Sequence, residues 1–263
     1  MEQLTVAQIR TQLRQADEER FCVLERSLAA DTRKGVRQAV AAARARLDAQ
    51  AAEAARLDGL YDFQGQLMMQ AGAEVALGLD EVGRGPLAGP LAVGAVVLPL
   101  DARIEGLDDS KRLSEDERVR ITSQVKERAS AWTVQYASVE HIDTMGIATA
   151  LRDAFARAIA AIEAAGVHPD LILLDGNPLG LDAREVSVVK GDARVAAIAA
   201  ASVLAKVDRD ALMDQMDERY PGYGFAQHKG YGTAAHTDAI RRLGLSPLHR
   251  TSFCGAFTQE SLF

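Results

Sequence analysis

The chain has 263 residues, 48% of them hydrophobic and 25% charged, proportions that exclude wholesale disorder, a collagen-like rod and a coiled coil. The net charge of −7, taken alone, argues mildly against nucleic acid as a partner, because a phosphate-binding surface wants a basic patch, although a local patch can survive such a sum. No apolar run is long enough to span a bilayer, the start shows no basic-then-apolar leader, and Cys22 and Cys254 are too far apart for a disulfide framework or a zinc site. No membrane partner is expected, and a reducing cytoplasm is the expected location.

Residues 1–72 are rich in Ala, Arg, Gln and Glu and contain no proline. Apolar residues recur at helical spacing, first Leu4, Ile9 and Leu13, then Val36, Val40, Ala43 and Leu47. Thr5 and Gln8 form a capping-box pattern, and Asp31-Thr32 is the expected start of a long later helix. The segment reads as a small domain of two or three helices with a thin core and no catalytic constellation.

From residue 73 the texture changes. Residues 74–80 read as a strand ending in acids, 83–90 as a turn rich in breakers, and 91–98 as a buried strand. Residues 114–131 read as a helix capped by Ser114 and Glu117, 132–138 as a strand, and 147–165 as a helix closed by Gly166. Further strands are expected at 171–175 and 185–189, then a long helix at 193–219 and another at 234–243. Early strands followed by strands alternating with helices predict an α/β domain over 73–263, a mixed sheet with helices packed on it.

Chemistry is expected at the strand ends, because ligands of open α/β sheets sit there. Asp80 and Glu81 end one strand, Asp175 ends another, and Asp192 follows a third. If those strands are neighbours, the four acids come within reach of a common pair of ions. Hard ions such as Mg²⁺ and Mn²⁺ prefer oxygen ligands, and two of them clamp the attacking and leaving oxygens of a phosphodiester. Acids after strands also serve as turn formers, and Asp175 before Gly176-Asn177-Pro178 taken alone reads better that way. Gly83-Arg84-Gly85 with Gly89 loosely matches a dinucleotide loop. The adjacent acids and the strand that follows oppose that reading. Glycine backbone that approaches a sugar hydroxyl is the better use, and a plain tight turn is the alternative. Lys111, Lys190, Lys206 and Lys229 are candidate phosphate contacts, each otherwise a solvated lysine, and Lys206 is spaced to pair with Asp210. Asp208 reads as a surface or ion-pair acid, His228 as structural or phosphate-contacting, and Tyr231 by itself as a packed aromatic.

Taken together, the motifs resemble the type 2 ribonucleases H, the bacterial ribonuclease HII family. They are DEVGRGPLAGP (residues 80–90), Asp109-Ser110-Lys111, LLDGNP (173–178), VVKGDARV (188–195), AASVLAKVDRD (200–210) and YGFAQHKGYGT (223–233), in family order over roughly residues 75–255. The Arg in Gly83-Arg84-Gly85 is absent from the otherwise similar type 3 enzymes. The resemblance implies a ribonuclease H-like α/β fold with a C-terminal helical lobe, preceded by a helical extension of the kind some bacterial members carry. It implies cleavage of the RNA strand of RNA–DNA hybrids and nicking of ribonucleotide-containing duplex DNA on the 5′ side of the ribonucleotide, leaving a 3′-hydroxyl and a 5′-phosphate. It implies that Asp80, Glu81, Asp175 and Asp192 hold two Mg²⁺ or Mn²⁺ ions. The Gly83-Arg84-Gly85 backbone would read the 2′-hydroxyl, Tyr231 would pack on the deoxyribose beyond it, and Lys111 and Lys229 would contact substrate. Residues 1–72 are left as the candidate surface for a protein partner. Two other readings stand beside this one: a junction resolvase on the same fold, which would lack Gly-Arg-Gly, and a non-catalytic hybrid-binding protein, which would need a broken carboxylate set.

Overall fold

The computed structural model describes residues 4–258, and the chain divides into two compact units, Met1–Asp58 and Gly59–Phe263. The first unit holds α1 (Val6–Gln15), α2 (Glu18–Leu28) and the greater part of α3 (Lys34–Ala71). The capping box forms as the sequence predicts: Gln8 N donates to Thr5 Oγ1, and Thr5 N donates to Gln8 Oε1 at 2.8 Å. Asp17 caps α2 through the Arg20 N–H at 2.9 Å. Ile9, Leu13, Phe21, Val36, Ala43 and Leu47 form the core of this unit, which the helical spacing anticipated for all but Phe21. Leu4 remains exposed. The long helix begins at Lys34, not at Asp31-Thr32, because the Asp31 carboxylate turns back to the Arg33 side chain and backbone N–H.

The second unit begins inside α3, well before the change of texture at residue 73. Leu60, Tyr61 and Gln64, in its last turns, are buried. Next come β1 (Ala76–Val82), β2 (Leu91–Val97), α4 (Glu115–Arg128), β3 (Ala131–Ala137), α5 (Val139–Met145), α6 (Ile147–Ala164), β4 (Leu171–Asp175), β5 (Glu185–Val188), α7 (Ala196–Arg219), α8 (Phe225–His228), α9 (Ala234–Leu243) and the short α10 (Gly255–Thr258). One mixed sheet has the order β3-β2-β1-β4-β5. β1, β2 and β3 pair antiparallel, whereas β4 is parallel to both β1 and β5. The expected architecture, a mixed sheet flanked by helices with a helical C-terminal end, is the one observed.

Alternation of side chains along a strand gives the sheet two different faces. Leu77, Leu79, Val93, Ile172 and Leu174 pack with Phe155, Ile159 and Ile162 of α6. On the opposite face Gly78 and Gly94 let the backbone of α7 approach, since an added Cβ would stand 2.2 Å from Ala197 C and 2.2 Å from Ala201 O respectively. α7 starts at Ala196 and not at Ala193, because Gly191–Ala193 winds a 3-10 turn first. α5 has no counterpart in the sequence reading; one short run of seven residues is too brief to show a helical period.

Candidate metal centre and substrate loop

Across the parallel pair β1–β4, Leu79 stands opposite Leu174. Asp80 and Asp175 are the next residues on each strand, so they end up side by side at the C-terminal edge of the sheet. Asp80 shares the α7 face with Gly78, whereas Glu81 follows Leu77 and Leu79 toward the other face. Asp175 continues the side of Leu171 and Leu173, which pack with Ile198 of α7 and so share the face of Asp80. Asp192 is delivered by the 3-10 turn after β5, entered through Lys190 in the left-handed region at φ 56°. That turn is tied to β4, because Gly191 N donates to Asp175 Oδ1 at 2.6 Å. One Asp175 oxygen therefore organises the loop that carries Asp192, not the Gly176-Asn177-Pro178 turn that follows Asp175 itself.

Burial, with charge from neighbouring acids, raises the pKa values of Asp80, Glu81 and Asp175. Burial first, then the charges of Glu81 and Asp175, push Asp80 well above the usual range, while a hydrogen bond from Ser202 works in the opposite direction. The Ser202 hydroxyl is in turn 3.0 Å from that of Ser110, which links Asp80 to the Asp109-Ser110-Lys111 segment. Burial, with the nearby Asp175, also raises Glu81, against the Arg84 guanidinium. Asp175 is raised by burial and by Asp192. Two of the four acids are turned to cations of the chain itself: Arg84 Nη1 donates to Glu81 at 3.2 Å and Lys111 Nζ to Asp192 at 3.2 Å. No three acidic, histidine or cysteine groups among the described residues are gathered tightly enough to enclose an ion. The donor chemistry still fits a hard divalent cation: all four candidate groups offer oxygen, and neighbouring like charges in a poorly solvated corner gain most from such a counter-charge.

Beside this corner, the Gly83-Arg84-Gly85 loop lies against the C-terminal helices. Gly83 adopts φ +90°, and a Cβ there would come 2.4 Å from Arg209 Nε. Leu87 N donates to Gly230 O at 2.8 Å, and Arg250 N donates to Leu87 O at 2.8 Å. These bonds join the loop to the segment that carries Tyr231, which is 41% exposed. Lys229 is less available: its ammonium pairs with Asp214, and its carbonyl accepts from Arg209 at 3.0 Å. Lys111 faces Asp192. Lys206 pairs with Asp210 at 2.8 Å, as its spacing predicts, and Asp208 accepts from the Tyr136 hydroxyl. Both ring nitrogens of His228 are occupied by backbone, one with Tyr223 O at 2.8 Å and one with Gly230 N at 3.2 Å, a structural role.

Comparison with known proteins supplies the family. The family model for ribonuclease HII matches residues 77–256, and that for the ribonuclease HII N-terminal domain matches residues 5–68. The chain belongs to the ribonuclease HII family. A ribonuclease HII of Bacillus licheniformis is 40% identical over 260 residues, covering 99% of this chain and 100% of that protein. One from Laribacter hongkongensis is 50% identical over 193 residues, 70% of this chain and 96% of its own length. Among solved structures, the ribonuclease HII of Archaeoglobus fulgidus, determined as a complex with PCNA, superposes with a TM-score of 0.61 at 23% identity, covering 71% of this chain and 98% of that one. That likeness concerns the fold. The chain is a ribonuclease H, an endonucleolytic hydrolase acting on RNA–DNA hybrids, and its family uses divalent metal ions. No helix among the described residues is long and apolar enough to cross a membrane.

Sequence reasoning missed several groups that build this ribonuclease HII site. Ser202 was hidden in an Ala-rich helix, and nothing in its spacing marks it as the partner of Asp80. Arg209 and Arg250 were overlooked because their partners are backbone carbonyls, which leave no pattern in a sequence. A histidine group also escaped: His236 Nε2 is 3.1 Å from His249 Nε2, and the His228 and His236 rings stack at 4.2 Å beneath the Tyr231 segment. Burial first, then its histidine neighbours, holds His249 down to about 4.

Proposed function

We propose that this enzyme cuts on the 5′ side of ribonucleotides, both in RNA–DNA hybrids and singly embedded in duplex DNA. The products are a 3′-hydroxyl and a 5′-phosphate, and the cellular role is removal of ribonucleotides from DNA in the cytoplasm. Asp80, Glu81, Asp175 and Asp192 are the catalytic residues and hold two divalent ions, Mg²⁺ or Mn²⁺. The observation that carries this reading is the side-by-side placement of Asp80 and Asp175 on adjacent parallel strands, with Asp192 tethered to Asp175 and the glycine loop next to them. When bound, the ions activate water and offset charge on the phosphate. The chain's own groups do the rest. Asp80, fixed by Ser202 and buried against α7, supplies a ligand oxygen whose position is set by the sheet. Lys111 and Arg84, paired here with Asp192 and Glu81, are the cations that would be free to contact phosphate oxygens once those carboxylates held ions. Gly83-Arg84-Gly85 presents backbone to the 2′-hydroxyl, the one group that separates RNA from DNA at this point. The exposed Tyr231 ring packs on the following deoxyribose, and Lys229 contacts substrate. Residues 1–72 are free of these groups and are the surface for a further partner.

The test is cleavage of a DNA duplex carrying one ribonucleotide, beside the same duplex in DNA alone, with and without Mn²⁺. A single nick 5′ of the ribonucleotide, dependent on the metal, is expected. Tyr231→Ala should slow cutting of that duplex by about one to two decades, with less loss on a continuous hybrid. Cutting of the all-DNA duplex, or equal losses on both ribose-containing substrates, overturns the corresponding part of the reading.

A further inference from the structure

Two arginines, Arg209 and Arg250, are completely buried (0% exposed), and neither has a carboxylate partner among the described residues. A buried charge without a counter-charge is costly and persists where its hydrogen bonds are complete. Here every bond goes to backbone carbonyls. Arg250 donates to Gly83 O at 2.7 Å, Arg84 O at 3.0 Å and Gly89 O at 2.9 Å. Arg209 donates to Pro90 O at 2.9 Å, Lys229 O at 3.0 Å and Ala88 O at 3.3 Å. Between them the two guanidiniums gather two carbonyls of the glycine loop, three from the residues after it and one from the Tyr231 segment. Burial, and then the neighbouring Arg209, lowers Arg250 to about 10, so it remains charged at neutral pH.

The direction of those carbonyls fixes the other side of the loop. In a trans peptide the C=O of one residue and the N–H of the next point in opposite directions. With Gly83 O and Arg84 O turned inward to Arg250, the N–H groups of Arg84 and Gly85 are turned outward. Neither N–H has an acceptor among the described residues. Successive outward N–H groups over buried positive charge form a nest for an oxygen-rich ligand. We infer that Arg209 and Arg250 are positioning residues for substrate selection: they hold the Gly83-Arg84-Gly85 loop with its N–H groups presented to the ribose and the phosphate beside it. This rests on the reading of the loop given under the proposed function. No carboxylate among the described residues bonds either guanidinium; Tyr231 and Asp210 act on Arg209, and Tyr231 and Asp143 on Arg250, through space only, and a substrate phosphate adds to that counter-charge.

Arg250→Lys separates this role from simple support. Lysine keeps the charge, but a single ammonium on a flexible stem does not reproduce the planar fork that holds three carbonyls. Binding is measured in Ca²⁺, without turnover, to a duplex with one ribonucleotide and to the same duplex in DNA alone. The wild-type protein is expected to prefer the first. In Arg250→Lys that preference should fall by about tenfold, with affinity for the all-DNA duplex within about twofold of wild type. In Arg250→Met, affinity for both duplexes should fall and its dependence on salt should weaken. A folded Arg250→Lys protein that keeps the full preference overturns the inference, as does an equal loss on both duplexes. If wild type shows no preference, the loop reading itself fails, and that outcome is distinct. Amide hydrogen exchange on the wild-type protein covers the case in which the variants do not fold. Arg84 and Gly85 should exchange fast when free and become protected only by the ribonucleotide duplex; equal protection by both duplexes overturns the inference.

Discussion

On one face of the sheet the strands present Leu77, Leu79, Val93 and Leu174, and α6 meets them with Phe155, Ile159 and Ile162. On the other face β1 and β2 present Gly78, Asp80 and Gly94, and α7 meets them with Ala197, Ala201 and Ser202. The first face is held by large apolar side chains that fill space. The second is held by close backbone approach, which leaves room for a buried carboxylate and its hydrogen bonds. Large apolar packing and the buried Asp80 thus lie on opposite sides of the same strands, one residue apart in sequence, while Glu81 follows the α6 side at the strand's end.

The strongest way to break that comparison is Asp80→Asn. The amide cannot supply the charge that holds a divalent ion, so hydrolysis should fall by at least about a thousandfold. The fold should not suffer, because the substitution removes repulsion from Glu81 and Asp175 in a buried place. A melting temperature at or above that of wild type, with rates measured at saturating Mg²⁺, is the expected pair of results. Near-normal turnover would end the assignment of Asp80.

On the opposite face Phe155→Ala should behave in the reverse manner. Phe155 is fully buried in the α6 cluster, and its truncation should cost about 3–5 kcal/mol. Denaturant unfolding measures this loss. At a temperature where the variant is still folded, turnover should stay within about threefold of wild type, since a packing loss on this face leaves the carboxylates in place. A fall as large as that of Asp80→Asn would show that the two faces are not separable.

Gly94→Ala tests the contact between the two principles. The new Cβ would stand 2.2 Å from Ala201 O, so α7 must lift from the sheet. The stability cost should be up to about 3 kcal/mol, as for other overpacked sites. Gly94 is the ladder partner of Asp80. Activity should therefore fall more steeply per unit of lost stability than in Phe155→Ala, as read from turnover and unfolding of both variants under the same conditions.

The sequence made the α6 face easy to read. Its strands are short apolar runs, and its helix repeats apolar residues at the right period. Asp80-Glu81 stands out because acids at the end of an otherwise apolar strand break its pattern, whereas Asp175 alone reads as a turn former and the set of four is what the family resemblance implies. What stayed hidden has a physical reason in each case. Ser202 and Gly94 gain meaning only from what crosses them in space. Arg209 and Arg250 bond to carbonyls, and every residue type carries those. The positions of Glu81 and Asp192 depend on which cation each meets, Arg84 and Lys111 in this structure, and a linear pattern does not carry that information.

The smallest effect concerns a residue that family boundaries assign elsewhere. Gln64 falls within residues 5–68, the match to the N-terminal domain, yet it is fully buried in the unit Gly59–Phe263. Its amide nitrogen donates to Leu98 O at 2.9 Å, and its oxygen accepts from Ala197 N at 2.8 Å. The first N–H groups of a helix have no partner inside it, and α7 receives no side-chain cap from Val195. Gln64 fills that role from the end of α3. Gln64→Leu keeps the volume but leaves Ala197 N–H and Leu98 O buried and unpaired, at a cost of about 1–2 kcal/mol. A chain that begins at residue 59 retains this bond, and one that begins at residue 73 loses it together with the Tyr61 hydroxyl bonds to Ala102 O and Ile104 N. The later start should therefore melt lower than the earlier one, and Gln64→Leu in the full chain should account for part of the difference. Equal melting temperatures for the two shortened chains would place the α7 face entirely within residues 73–263.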